Sequence, residues 1–370
     1  MNLKIGYGKK YNQTEEHMKE LLKYGFSDEL VSEKTEGIPA RVTAVHKERY
    51  ELICEYGECF GRLKTGIYYE KGNEEFPTTG DFVMIQHNPS GDSLIIKTLP
   101  RKSYFSRRDP TPGRGEQAVA ANFDDVFIMQ SLNHDFNLKR LERYLTLAWQ
   151  SGAVPAVILT KADLTEDYEK QLREAEITAA GVSVFAVSAY TGFGVEDLKN
   201  YLTPGKTVVF LGSSGVGKSS LVNALAGTDI MAVSEIRQDD SRGRHTTTHR
   251  QLIMLPSGVM VIDTPGMREL GMWDVSLGLD KAFADVEQYF GSCRFSDCRH
   301  QSEPGCAVKE AIERGELPPQ RWESYLQLQQ EARYSQDKTG YLLEKQQLHK
   351  TISKHIKDIK KSEKYAKRGL

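Results

Sequence analysis

No stretch of this 370-residue chain holds enough consecutive apolar residues to span a bilayer, and its opening, MNLKIGYGKKYNQ, lacks the apolar core of a secretory leader. The expectation is a cytoplasmic protein without a membrane partner, in a compartment where thiols stay reduced. Net charge is nearly absent too, since 49 Lys and Arg oppose 51 Asp and Glu. That balance excludes a protein that coats nucleic acid by bulk charge, but not one with a local basic patch. Internal repeats and low-complexity tracts are missing, which excludes a solenoid. Cysteine is scarce, with five residues, and three of them (Cys293, Cys298 and Cys306) fall within fourteen positions. In a reducing compartment such clustering reads as metal binding before disulfides. What remains is an ordinary globular balance, 39% hydrophobic and 27% charged, in a chain long enough for two or three domains.

Along the chain the texture changes several times. Residues 1–36 are polar and mildly helical, with Met18, Leu21, Leu22 and Phe26 on one face, and read as a docking helix without chemistry. Residues 37–100 hold closely spaced short strands bounded by Pro and Gly, which suggests a small barrel such as an OB-fold. Residues 101–116 read as a linker rich in Arg, Pro and Gly. Its basic residues Arg101, Lys102, Arg107, Arg108 and Arg114 either touch RNA phosphates or stay solvated, the second being the usual fate of a charge run. From 117 to 275, apolar runs alternate with amphipathic segments such as LKRLERYLTLAWQSG, whose Leu141, Tyr144, Leu145 and Ala148 point inward. Continuous apolar strands separated by helices predict a mostly parallel sheet covered on both faces. Residues 276–370 carry the cysteine cluster and then mostly helix. Near the end, Leu348, Ile352, Ile356 and Ile359 recur at helical spacing beside a basic face.

The strongest motif is Gly212-Ser213-Ser214-Gly215-Val216-Gly217-Lys218-Ser219, which follows the apolar strand TVVFL and opens a helix at Ser219-Ser220-Leu221. Its glycines let successive backbone N–H groups turn onto phosphates, and the helix N-terminus adds partial positive charge. Lys218 is expected to reach the β- and γ-phosphates, and the Ser219 hydroxyl to hold Mg²⁺. Downstream, the strand VMVI ends in Asp263-Thr-Pro-Gly266, where Asp263 suits Mg²⁺ through a water and the Gly266 N–H suits the γ-phosphate. Between these lies RGRHTTTHR, a polar loop whose threonines are placed to sense the γ-phosphate through the metal.

A base-reading element stands upstream of all this. Thr160-Lys161-Ala162-Asp163 follows the strand AVIL, and the Asp163 carboxylate can accept both the N1–H and N2–H of guanine. Ser188-Ala189, after the strand VFAV, offers a backbone N–H to guanine O6. Alone each is a weak motif. Both at strand C-terminal ends, in one sheet with a phosphate loop, they make a joint signal for GTP and GDP, because ligands bind at that edge.

This succession, base-reading before phosphate-binding, reverses the order of ordinary Ras-like GTPases. With GRHTTT, DTPG and the cysteine cluster, it resembles the circularly permuted GTPases of the RsgA (YjeQ/YloQ) family over nearly the whole chain. The resemblance implies a ribosome-associated GTPase. Such a protein hydrolyses GTP to GDP and phosphate, binds rRNA and the small ribosomal subunit during late maturation, and leaves on hydrolysis. It is expected to be monomeric.

Two positions depart from the usual GTPase. Thr160 stands where an Asn commonly ties the base-reading loop to the phosphate loop, so weaker nucleotide affinity is expected. Met267 stands where a Ras-like glutamine orients the attacking water. His245, beside the switch threonines, is the alternative to an ordinary exposed histidine that the family resemblance favours for that role. Thr247, with Thr246 close behind, is the expected Mg²⁺ contact. The cluster Cys293-x4-Cys298-x-His300-x5-Cys306 supplies the sulfur and nitrogen donors zinc takes, and with the resemblance implies one closed, structural Zn²⁺. Cys54 and Cys59 lack such neighbours and read as packed thiols. Two rival readings stay open: an RNA-binding assembly protein whose nucleotide site is mainly structural, and a P-loop ATPase or kinase acting on a small molecule.

Overall fold

The computed structural model describes residues 20–31, 36–47, 49–68, 75–108, 116–133, 135–231, 250–263, 276–301 and 303–336. They belong to two compact units, residues 1–271 and 272–370.

The first unit begins with a short helical stretch whose Leu21 and Phe26 are buried against Ile53, Phe82 and Met84. Leu22, expected on the same face, is 47% exposed, so the apolar stripe is one residue narrower than its spacing suggested. Met18 lies outside the described residues. Five strands follow: β1 (Ile38–His46), β2 (Arg49–Cys54), β3 (Gly57–Leu63), β4 (Phe82–Gln86) and β5 (Ser93–Thr98). They pair in the order β1-β2-β3-β5-β4, and β4 returns to β1 to close the barrel. Only β3 and β5 run parallel, which is the five-stranded OB arrangement. Alternate residues fill the interior, with Val42, Leu52, Val83, Ile85 and Ile95 at its centre.

The stretch read as a linker holds a strand, β6 (Tyr104–Arg108), antiparallel to β7 (Glu116–Ala121). Prolines and glycines at 110–115 hid it, but Phe105 is buried and stacks on Phe123 at 4.9 Å. The basic residues of this stretch are engaged within the chain. Arg101 makes two 2.8 Å contacts to the buried Asp81 carboxylate, Lys102 lies 2.7 Å from Asp124, and Arg107 reaches Gln117. The Arg108 side chain and Arg114 lie outside the described residues.

The remaining strands build the nucleotide-type sheet. β8 (Asp125–Ser131), β9 (Val154–Thr160), β10 (Ser183–Ala186), β11 (Thr207–Gly212) and β13 (Met260–Asp263) are parallel in the order β10-β9-β8-β11-β13. β12 (Gln251–Met254) adds antiparallel to β13, and its Gln251 pairs with Ala44 of the barrel. Helices Leu138–Gln150, Tyr168–Thr178, Val195–Tyr201 and Lys218–Ala226 form the crossovers. Strands covered on both faces must be apolar throughout, hence the unbroken burial from Val126 to Ser131 and from Pro155 to Thr160. In the helix Leu138–Gln150, Leu141, Leu145 and Ala148 are buried, while Tyr144 is half-buried.

Where barrel and sheet meet, Arg41 of β1 is 1% exposed. Its guanidinium lies within hydrogen-bond reach of the carbonyls of Gly80, Tyr24 and Asn122 and of the Thr207 hydroxyl. Burial pulls its pKa down to about 10, against the opposing pull of Asp124 and Asp81. One side chain thus ties together the N-terminal segment, the barrel and the sheet.

The second unit is helical: Ser276–Ala282, Ala284–Glu287, Ala307–Glu313 and Pro319–Gln336. Phe283, Phe290, Trp322 and Tyr325 pack edge-on or stacked at its centre. The stripe at Leu348, Ile352, Ile356 and Ile359 lies outside the described residues. Among the described residues no helix is long and apolar enough to cross a membrane.

Candidate functional site

Five parallel strands end at one edge, and the residues expected to handle nucleotide stand there. β11 delivers Gly212, and register pairs Gly212 with Met129 of β8 and Thr160 of β9 with Ser131. The loop Ser213–Gly217 then turns into the helix Lys218–Ala226. A Cβ on Gly212 would sit 2.8 Å from the Met129 carbonyl, so only glycine lets the chain leave the strand here. Gly217 has φ of 101°, a conformation that L side chains rarely adopt. The N–H groups of Gly215 and Gly217 donate to no acceptor among the described residues. They lie open to solvent at a helix N-terminus, a position that favours an anion.

The base-reading and phosphate loops touch. The Thr160 hydroxyl lies 2.6 Å from the Val216 carbonyl, and Lys161 Nζ lies 2.7 Å from the Gly215 carbonyl. Lys161 itself takes a left-handed φ of 59°, strain that is held at the start of the short helical turn Ala162–Leu164. The Ala162 N–H donates to the Val187 carbonyl, which fixes this turn against the end of β10. Asp163 projects from it, exposed, with no partner among the described residues. Ser188 is buried, its N–H given to the Phe193 carbonyl and its hydroxyl accepting from the Thr191 N–H. The next N–H, that of Ala189, has no acceptor among the described residues. The weaker tie expected of Thr160 in place of Asn is thus a single short hydrogen bond, with Lys161 supplying a second.

On the phosphate side, Lys218 Nζ stands 2.5 Å from the Asp263 carboxylate at the end of β13, which is nearly buried. Ser219 and Ser220 follow Lys218 in the first turn of the helix. Asp135, which the sequence reading passed over, joins them. Its carboxylate lies 2.5 Å from the Ser213 hydroxyl and 2.9 Å from the Arg140 guanidinium. The signal was present in the polar run Asn133-x-Asp135 just past the apolar strand β8, at the same sheet edge. His245, Thr246, Thr247, Gly266 and Met267 lie outside the described residues.

In the second unit, one donor atom each from Cys293, Cys298, His300 and Cys306 falls within 4.8 Å of the others. His300 Nδ1 is 3.5, 3.7 and 3.4 Å from the three sulfurs in turn. A tetrahedral ion with arms of about 2.3 Å to sulfur and about 2.0 Å to nitrogen requires sulfur–nitrogen edges of about 3.5 Å, which the three histidine–sulfur distances match, so the cluster is consistent with such an ion. Phe290 stacks on the His300 ring at 4.6 Å and Trp322 meets it edge-on, which fixes the ring's direction. Burial holds the His300 pKa below its ordinary value and favours the neutral imidazole that ligation needs. The Arg294 N–H donates to the Gly305 carbonyl and closes the loop around the cluster. Cys54 and Cys59, in the barrel, have no part in it.

Comparison with known proteins agrees with this geometry. The family model of the RsgA GTPase matches residues 98–273. That of the ABC transporter matches residues 195–354, a span that shares the phosphate loop. A small ribosomal subunit biogenesis GTPase RsgA 2 of Listeria monocytogenes is 46% identical over 345 residues, 91% of this chain and 98% of its own. An RsgA of Methanosarcina acetivorans is 41% identical over 88% of both chains. Among solved structures, YjeQ from Thermotoga maritima superposes with a TM-score of 0.61 at 29% identity, covering 80% of this chain and 98% of its own. YloQ, described as a circularly permuted GTPase, shares the fold with a TM-score of 0.57 at 24% identity, covering 83% and 99%. A phosphate loop alone would fit an ABC transporter equally well, but nearly end-to-end relatives at such identity decide the matter: the chain belongs to the RsgA family of small ribosomal subunit biogenesis GTPases.

Proposed function

We propose that Asp163, Ala189 and the loop Gly212–Ser220 hold one guanine nucleotide, and that its hydrolysis times the protein's release from the small ribosomal subunit. The observation that carries this reading is the pair of hydrogen bonds from Thr160 and Lys161 to the phosphate loop. They tether the base-reading residues to the phosphate-binding ones despite their reversed order in the chain. Asp163 accepts the two guanine N–H donors, a pattern adenine does not present. The Ala189 N–H meets guanine O6. The free N–H groups of the phosphate loop take the phosphate oxygens, and Lys218 exchanges its contact with Asp263 for the β- and γ-phosphates. Asp135 holds the Ser213 hydroxyl and so steadies the loop's first turn.

Ser219, Asp263 and Thr247 are the residues that would hold Mg²⁺, whose charge, when bound, offsets that of the phosphates. His245 positions the attacking water, because Met267 offers it no hydrogen bond; this role rests on the sequence pattern. Cys293, Cys298, His300 and Cys306 would hold one Zn²⁺, and with four protein donors that site has a structural role. The chain acts as a monomer in the cytoplasm, binding rRNA on the small subunit. Residues 1–36, 37–100, 117–275 and 276–370 serve as N-terminal extension, RNA-facing barrel, GTPase domain and metal-bearing helical domain.

The test is GTP turnover with and without purified small subunits. Slow turnover alone and a strong acceleration by the subunit are expected. Equal rates would remove the ribosome from the mechanism, and normal subunit maturation by a chain that cannot turn over GTP would favour a purely structural nucleotide site.

A further inference from the structure

The barrel carries two thiols that neither the nucleotide site nor the cysteine cluster uses. Cys54 ends β2 and faces Gly57 across the hairpin, while Cys59 on β3 faces Leu52. The two cysteines are therefore diagonal neighbours on the same inward face, reached by a turn of only Glu55 and Tyr56. Their sulfurs stand 3.9 Å apart, and both are free thiols. A disulfide needs about 2.0 Å, so side-chain rotation must close the rest of the gap while the hairpin strands draw together, because diagonal neighbours start at the wide end of what a bridge can span. The two differ in access: Cys54 is fully buried and Cys59 is partly exposed.

We propose that Cys54 and Cys59 are a peroxide-responsive pair that forms a reversible disulfide across the β2–β3 hairpin. Cys59 meets the oxidant first. Its contact with Cys54, aided by the Ser93 hydroxyl and against the effect of burial, lowers its pKa and favours the thiolate that reacts with peroxide. That contact and burial push Cys54 up, which keeps it a thiol. The Cys59 sulfur attacks one oxygen of hydrogen peroxide, the O–O bond breaks, and the departing hydroxide takes a proton to leave as water. Cys59 is then a sulfenic acid. The Cys54 sulfur attacks the Cys59 sulfur, the S–O bond breaks, and the Cys54 proton leaves with the hydroxide as a second water. Two thiols have given two electrons, and one peroxide has become two waters. In a reducing compartment such a bond is transient, and a thiol reductant restores the pair.

The test is brief exposure of the full-length chain to stoichiometric hydrogen peroxide, followed by alkylation and peptide mapping. Both cysteines lie in one fragment, residues 50–62, so the bond appears there as a loss of two hydrogens with resistance to alkylation. Dithiothreitol should reverse both signs. In a Cys54→Ser chain, dimedone should instead label Cys59 as sulfenic acid. Full alkylation of both residues in the wild-type chain after peroxide would overturn the proposal, as would Cys59 passing to sulfinic acid beside an unreacted Cys54.

Discussion

The seam around Arg41 and the edge around Lys218 are built in the same way, from side chains far apart in sequence, and differ in what their polar atoms have left to give. Arg41 is wholly enclosed, and the Gly80, Tyr24 and Asn122 carbonyls and the Thr207 hydroxyl surround its guanidinium. Nothing remains for a ligand, and the group serves cohesion. Lys218 is partly exposed and holds one carboxylate, while beside it the N–H groups of Gly215, Gly217 and Ala189 and the Asp163 carboxylate lack partners among the described residues. Being exposed or half-exposed, these groups can pair with water and remain available to a ligand, whereas the enclosed Arg41 has no such freedom. Burial and completed hydrogen bonding together separate the closed cluster at Arg41 from the open one at Lys218.

Replacing Lys218 by Ala should break the functional side of this contrast most deeply. Loss of the charge proposed to meet the β- and γ-phosphates is expected to lower GTP turnover by about 10²–10³-fold with the fold intact. Turnover and circular dichroism on the same sample check both halves. Arg41→Met should do the reverse: it strands several buried acceptors and is expected to cost about 2–4 kcal/mol of unfolding free energy. Denaturant unfolding measures the loss, and nucleotide affinity near the folded value below the transition would keep the two roles apart. The smallest effect belongs to Thr160→Ala, which removes the 2.6 Å tie to Val216. Losing about 1 kcal/mol there predicts roughly five-fold weaker GDP binding by titration calorimetry, since Lys161 still holds the phosphate loop.

The placement of the phosphate-loop motif between a strand end and a helix start was legible in the sequence, because its glycines, lysine and serine are contiguous at fixed spacing. The parallel sheet was legible for a similar reason: strands buried on both faces must be apolar throughout, as 126–131 and 155–160 are. The four-donor cluster announced itself through residue type and short spacing. What could not be read were relations between distant segments. Arg41 looks like any basic residue in an alternating strand until the fold surrounds it with acceptors from residues 24, 80, 122 and 207. Strand β6 was concealed by the Pro- and Gly-rich run after it, although Phe105 had a partner in Phe123. Asp135 carries no motif, and its meaning comes from Ser213, 78 positions away.

The most direct test of the shared pocket is nucleotide choice by an Asp163→Asn chain. Exchanging a carboxylate for an amide trades an acceptor for a donor, which suits xanthosine triphosphate, whose base carries a carbonyl at C2 where guanine carries its amino group, and opposes guanine. Binding should pass from GTP to xanthosine triphosphate, with the phosphate loop still engaged. Unchanged preference for GTP would mean that residue 163 does not face the base and that the reversed order of motifs does not converge on one ligand.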